Sequence, residues 1–274
     1  MRFSGLRIPE EPANVVRFES EGYSRALDDF IIYGGYPGVA IPDRKEEKVQ
    51  LLKEIYTSYV HKDVSDFFKI EDIPGFNRLV QFLSQQSGGL CKFSELAKNT
   101  RLTRYFVETY LFALRETYVV QLLHPYFVNL GKAIVKTPKL YFCDTGIRNA
   151  VFGQFGTLAQ RHDAGLLVEN FIFSELIKAI DREYIWFYRT TAGSEVDFVI
   201  TTGDQIVPVE VKYSASRQKT VPKIFATLAD HAGIKNALVA TRDHANEIER
   251  YGARISFRPA YTLYSIQKLL SRFS

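Results

Sequence analysis

Apolar positions along the chain change period from about 3.6 to 2 as it proceeds, which separates a helical first half from an α/β second half. Residues 1–22 carry Pro9, Pro12 and no clear apolar period, so they read as an irregular lead-in. Leu27–Tyr33 is a short apolar run, broken at Gly34-Gly35-Tyr36-Pro37-Gly38 in the manner of a tight turn. From Arg44, Val49, Leu52, Ile55, Tyr56, Tyr59 and Val60 recur at helical steps. A second helix holds Phe76, Leu79, Val80, Phe82 and Leu83 and stops at Gly88-Gly89.

The segment 93–142 predicts a helix-turn-helix with a wing. Phe93–Asn99 reads as a short helix capped by Ser94, and Thr100-Arg101-Leu102 as the turn. Thr103 then caps a longer helix with Val107, Tyr110, Leu111 and Leu114 on one stripe. Val119–Leu123 and Lys139–Phe142 follow as two strands around a polar loop. In such a module the start of the second helix meets DNA. Arg101, Thr103, Arg104 and Tyr105, with Lys132, Lys136 and Lys139 from the wing, are the expected DNA-contacting residues.

The last third predicts a helix at 164–180 and strands near 184–189, 195–201 and 206–213. A helix near 217–230, a strand at 236–240, a short helix and a last strand near 254–258 follow. Alternation puts Val196, Phe198 and Ile200 on one face, with Glu195, Asp197 and Val199 on the other. In the next strand Val207, Val209 and Val211 oppose Pro208, Glu210 and Lys212. Gly203-Asp204 is a two-residue hairpin signal, and a turn there places Asp197 directly opposite Glu210. Two carboxylates about 4.5–5.5 Å apart repel unless a cation lies between them. Lys212 supplies one positive charge, and Mg²⁺ or Mn²⁺ would supply the rest. Glu169 lies on an apolar stripe with Ile172, Phe173 and Leu176 and offers a third carboxylate. The bland alternative is a solvated ribbon with an ordinary salt bridge.

Composition narrows the class. The chain has 274 residues, 46% apolar and 24% charged, with 14% aromatic, which suits a folded core and excludes whole-chain disorder. No apolar run has the length of a membrane span, and the start has no signal-peptide pattern. Cys91 and Cys143 make neither a disulfide framework nor a zinc site and suit a reducing compartment, so a cytoplasmic protein is expected. Net charge is only +4, but residues 73–160 carry 10 Lys/Arg against 4 Asp/Glu. That surplus fits a surface that meets phosphates.

Asp197, twelve intervening residues, then Glu210-Val211-Lys212, with Glu169 on the preceding helix, resembles the PD-(D/E)XK nuclease signature. More broadly, residues from about Phe30 to Leu270 resemble the C-terminal region, a domain of unknown function, of a bacterial and archaeal family of AAA+ ATPases. The matching segments are Tyr33-Gly-Gly-Tyr-Pro37, Tyr59-Val-His-Lys-Asp63, Tyr141-Phe-Cys-Asp-Thr-Gly146, Gly165-Leu-Leu-Val-Glu-Asn170, Arg189-Thr-Thr-Ala-Gly-Ser-Glu-Val-Asp197 and Pro208-Val-Glu-Val-Lys212. The resemblance implies a helical and winged-helix N-terminal part followed by a PD-(D/E)XK nuclease-like three-layer α/β domain. It divides the chain into a helical lead-in (1–72), a winged-helix-like module (73–160) and the nuclease-like domain (161–274). It implies catalytic roles for Glu169, Asp197, Glu210 and Lys212, the three acids holding the metal. Family members carry an ATP-binding module ahead of this region. No Gly-x-x-x-x-Gly-Lys-Ser/Thr occurs here, so no P-loop ATPase activity is expected, and a separate ATPase module or subunit is an expected partner. Three readings stand: a metal-dependent DNA phosphodiesterase, a non-catalytic DNA-binding or scaffold region, and a purely protein-docking module.

Overall fold

A computed structural model describes residues 2–3, 6–7, 17–127, 137–190, 192–203, 205–213 and 220–271. In chain order the elements are β1 (Arg2–Phe3), β2 (Leu6–Arg7), α1 (Arg17–Tyr33), α2 (Pro37–Ala40), α3 (Lys45–Ile55), a π-helical stretch (Tyr56–Asp63) and α4 (Val64–Phe67). Next come α5 (Ile73–Gln85), α6 (Phe93–Thr100), α7 (Arg104–Glu116), β3 (Val120–Leu123), β4 (Lys139–Phe142), α8 (Thr145–Phe152) and α9 (Ala164–Ala179). The chain ends with β5 (Ile185–Arg189), β6 (Glu195–Thr202), β7 (Gln205–Lys212), α10 (Ile224–Ala232), β8 (Asn236–Thr241), β9 (Asn246–Arg250), β10 (Ala253–Pro259) and α11 (Ile266–Leu270). Among the described residues no helix is long and apolar enough to cross a membrane.

These elements gather into two compact units. One holds Asp28–Leu122 with Thr137–Ser174; the other holds Met1–Leu27, Leu123–Lys136 and Glu175–Ser274.

The first unit is mainly helical. Asp72 accepts the amide of Gly75 at 2.8 Å and starts α5. Thr103 accepts the amide of Phe106 and starts α7, as its residue type predicts. Lys92, not Ser94, occupies the cap position of α6. The stripe Val107, Tyr110, Leu111, Leu114 of α7 is buried. A charged network lies inside this unit. Arg148 Nη1 donates to Asp163 Oδ2 at 2.5 Å, and Arg161 Nη2 reaches the same oxygen at 2.7 Å. Arg148 also donates to the Ser84 carbonyl at 2.7 Å, tying α8 to the end of α5. Asn170 extends β4 from the side: its amide group accepts from Phe142 N at 2.9 Å and donates to Phe142 O at 2.8 Å.

The second unit is built on a six-stranded sheet in the order β5-β6-β7-β8-β10-β9. β5 pairs antiparallel with β6 and β6 antiparallel with β7, β7 and β10 pair with β8 in parallel, and β9 closes the far edge antiparallel to β10. One face packs on α10, where Val196, Val199, Ile206, Val239 and Ile255 meet Ile224, Phe225 and Leu228.

Three local expectations are corrected. The lead-in is not irregular throughout: α1 begins at Arg17, and Tyr23, Leu27 and Ile31 form a buried stripe at steps of four. The short helix expected between β8 and the last strand is β9, an edge strand whose Asn246-Glu-Ile-Glu-Arg250 alternates in exposure. Val196 does not share a face with Phe198. It sits with Val199 against α10, because β6 carries an extra residue between them.

Candidate functional site

The β6–β7 hairpin has the register that its turn dictates. Thr202 pairs with Gln205, Ile200 with Val207 and Phe198 with Val209. In a two-residue hairpin the closing pair exchanges both hydrogen bonds, and every second pair after it repeats that pattern. Val199↔Pro208 therefore falls at a non-hydrogen-bonded position, where proline's missing N–H costs nothing toward β6. Its nitrogen points toward β8, whose pairing begins only at Val209↔Leu238. A central-strand proline thus fits, and it leaves Glu210 and Lys212 on the face of Pro208. Glu210 pairs with Val239, and Lys212 with Thr241.

One step beyond Phe198↔Val209, where Asp197 comes level with Glu210, the ladder stops. The cause lies in the neighbouring strand. Trp186 pairs with Val199 and Tyr188 with Val196, so Asp197 and Phe198 together face Phe187 alone. This β-bulge bends β6 and re-aims Asp197. Its Oδ2 accepts the backbone amide of Val211 at 2.7 Å. Beside it, Lys212 Nζ lies 2.6 Å from Glu210 Oε1. The Glu210 side chain is 8% exposed and that of Lys212 55%, so a buried carboxylate meets an ammonium that reaches solvent. Glu210 Oε2 is also buried. At the end of the hairpin away from its turn, Asp197 is thus tied to the backbone of Val211, between Glu210 and Lys212, which pair with each other.

Glu169 is engaged within the helical unit. Its Oε1 accepts from Lys139 Nζ at 2.9 Å and from the Tyr141 hydroxyl at 2.5 Å. This also corrects the placement of Lys139 as a DNA contact. Its side chain is only 3% exposed, its ammonium turned inward onto Glu169 of α9.

The other expected DNA contacts divide. Arg101 is exposed and ends α6 in the left-handed conformation, with φ of 56°. Tyr105 is 71% exposed. Arg104 pairs with Glu108 one turn later at 2.7 Å, an exposed pair of small energetic weight. Thr103 is committed to its capping bond. Lys132 and Lys136 lie outside the described residues.

Among the described residues no group of three or more His, Cys, Asp or Glu side chains is placed to hold a metal ion. The donor set at the hairpin is two carboxylates, Asp197 and Glu210. Mg²⁺ is commonly held by one or two carboxylates, with water and substrate phosphate completing the shell. The residues fit such an ion and do not fit an all-protein cage.

Two family models match the chain. Residues 24–158 match a domain of unknown function (DUF8612), and residues 164–260 match another domain of unknown function (DUF4143). The uncharacterized protein Rv2008c of Mycobacterium tuberculosis is 24% identical over 195 residues, covering 70% of this chain and 44% of that protein. The uncharacterized protein MJ1544 of Methanocaldococcus jannaschii is 25% identical over 208 residues, covering 73% and 44%. The chain thus spans less than half the length of the curated relatives it matches. The solved structure of protein VC1899 from Vibrio cholerae aligns at 12% identity over 87% of this chain and 57% of that one, with a TM-score of 0.26, too low to bear on the fold.

Sequence reasoning missed the bulge and the Val211 amide. The one signal for them is the Trp186-Phe187-Tyr188 strand, whose pairing shifts register against β6.

Proposed function

We propose that the Asp197–Glu210–Lys212 cluster is the centre of a PD-(D/E)XK-type, metal-dependent DNA phosphodiesterase. In this reading α5, α6, α7, β3 and β4 form a winged-helix module that binds the DNA, and the chain works with an AAA+ ATPase module. The observation that carries the reading is the bulge. It breaks the ladder where two carboxylates come level and leaves a lysine two residues beyond the second of them. The resemblance of residues from about Phe30 to Leu270 to the C-terminal region of AAA+ ATPases supports the ATPase partner.

Asp197 and Glu210 would hold Mg²⁺ or Mn²⁺. A bound ion of this kind lowers the pKa of its water and polarises a phosphodiester. Glu210 and Lys212 neutralise each other in the ground state, so the ammonium is already placed to stabilise negative charge that develops on phosphate. The Val211 amide fixes the Asp197 carboxylate and so sets the direction of its second oxygen.

Supercoiled, linear duplex and single-stranded DNA, incubated with the protein and millimolar Mg²⁺ or Mn²⁺, test this. Cleavage that vanishes in Asp197→Asn and Lys212→Ala, with both variants still folded at the assay temperature, is the expected result. No cleavage of any DNA form with either metal overturns it.

The engagement of Glu169 by Lys139 and Tyr141 favours a second reading, a non-catalytic DNA-binding or scaffold region. It expects salt-sensitive DNA binding that is indifferent to Asp197→Asn. Replacing Arg101 and Arg104 would lower the salt slope by about 1 for each phosphate that is no longer neutralised.

A further inference from the structure

The six-stranded sheet has two edges, and they are finished differently. Along β5, Phe187 donates its amide to the His124 carbonyl at 3.1 Å and accepts the Tyr126 amide at 2.6 Å, so the chain around Pro125 covers that edge. β9 pairs with β10 alone, and among the described residues nothing pairs with its outer side. An open edge presents a row of backbone donors and acceptors to any strand that can lie along it.

The register says which groups these are. Arg250 pairs with Ala253, so Tyr251 and Gly252 alone make the turn between β9 and β10. The closing pair of such a hairpin exchanges both hydrogen bonds, and every second pair after it does the same. Arg250, Ile248 and Asn246 therefore turn their N–H and C=O groups toward β10, whereas Glu247 and Glu249 turn theirs outward.

The side chains are sorted by the same pairing. Ile248 lies beside Ile255 and packs, partly buried, on the α10-side core. Glu247 and Glu249 lie on the other face, across from Ser256 and Arg254, and both are exposed. Arg258 Nη2 reaches Glu247 Oε1 at 2.6 Å, yet 51% of the Glu247 side chain stays open to solvent. On this face charge changes sign from strand to strand, Arg254 and Arg258 on β10, then Glu247 and Glu249 on β9. Opposite charges across a sheet stabilise it and like charges destabilise it. A strand added to the edge thus fits best with cations facing the two glutamates. A second copy of β9 does not fit, because antiparallel pairing of the two outward-bonding sets always sets Glu against Glu.

We propose that the β9 edge takes an extended segment of a partner protein as a further strand, with Lys or Arg facing Glu247 and Glu249 and an apolar residue beside Ile248. This docking does not depend on the phosphodiesterase reading.

The test is fluorescence anisotropy of a labelled, capped peptide of alternating Lys and Val, titrated with the whole chain at near-physiological salt. Saturable binding is expected, and none for a peptide of alternating Glu and Val. Glu249→Pro removes an outward N–H and no bond to β10, so it should leave the fold intact and weaken binding about tenfold or more. Glu247→Lys/Glu249→Lys should exchange the preference, taking the Glu–Val peptide in place of the Lys–Val one. Two methylated peptides make the same test on the unaltered protein. Methylating the Lys amides should abolish binding of an antiparallel strand, and methylating the Val amides that of a parallel one. Absence of saturable Lys–Val binding, equal affinity for the Glu–Val peptide, or equal effects of the two methylations overturns the proposal, as does unchanged affinity in a folded Glu249→Pro.

Discussion

The carboxylate of Asp197 takes the backbone amide of Val211 at 2.7 Å, a bond that the carbonyl of Val196 would have accepted had the β6–β7 ladder continued. One side chain thus takes over a hydrogen bond of the broken sheet. Asp197→Ala is expected to cost about 1 kcal/mol of stability, because it leaves a part-buried donor without its acceptor. Asp197→Asn retains an acceptor oxygen and costs less. Urea denaturation of the two variants checks this, and equal losses would show that the amide finds another partner.

Glu169→Gln should destabilise the helical unit by about 3–5 kcal/mol, because Lys139 is left charged and buried. The double variant Glu169→Gln/Lys139→Met should recover most of that loss. If Glu169→Gln instead melts like the parent and only impairs DNA cleavage, Glu169 belongs to the reaction and not to the fold.

The acid limb of stability should report on Asp163. Burial alone would raise its pKa, but hydrogen bonds and charge from Arg161 and Arg148 outweigh that and hold it below 3.8. A lowered folded-state pKa gives stability that is complete above the unfolded value. It drains away as pH falls below about 4, through the folded pKa. Asp163→Asn should remove this part of the pH dependence and cost about 3–5 kcal/mol at neutral pH, since two buried arginines lose their counter-charge. Thermal melts from pH 7 to pH 2 would show it. A parent and variant with parallel pH profiles would refute it.

Burial pushes the Cys91 thiol up to about 12, so it stays protonated and shielded at pH 8. Cys143 is only partly buried. Maleimide labelling of the native protein should therefore modify Cys143 and spare Cys91, with both modified in denaturant. Mass spectrometry after digestion would decide the matter, and early modification of Cys91 would mean that its surroundings open readily.

Much of the helical unit was legible in the order of residues. The stripe of α7 and the capping role of Thr103 are local patterns, set by contacts within four residues. The β6–β7 register was equally legible, because a two-residue turn at Gly203 leaves a single pairing. α1 was harder to read. Its stripe of Tyr23, Leu27 and Ile31 is interrupted by Gly22, Ser24 and two acidic residues that dilute the period. β9 was missed because five residues of mixed polarity take their strand form from β10, not from their own propensity.

Chain order by itself determined that Asp197 and Glu210 come level and that Lys212 shares a face with Glu210, since both follow from one tight turn and a period of two. Only the tertiary structure decided what those groups touch. The bulge that turns Asp197 toward Val211 arises from pairing with β5, and the partners of Glu169 lie 28 and 30 residues away. Local propensity acts over a few residues, whereas a carboxylate's partner depends on which strand or helix the fold brings beside it.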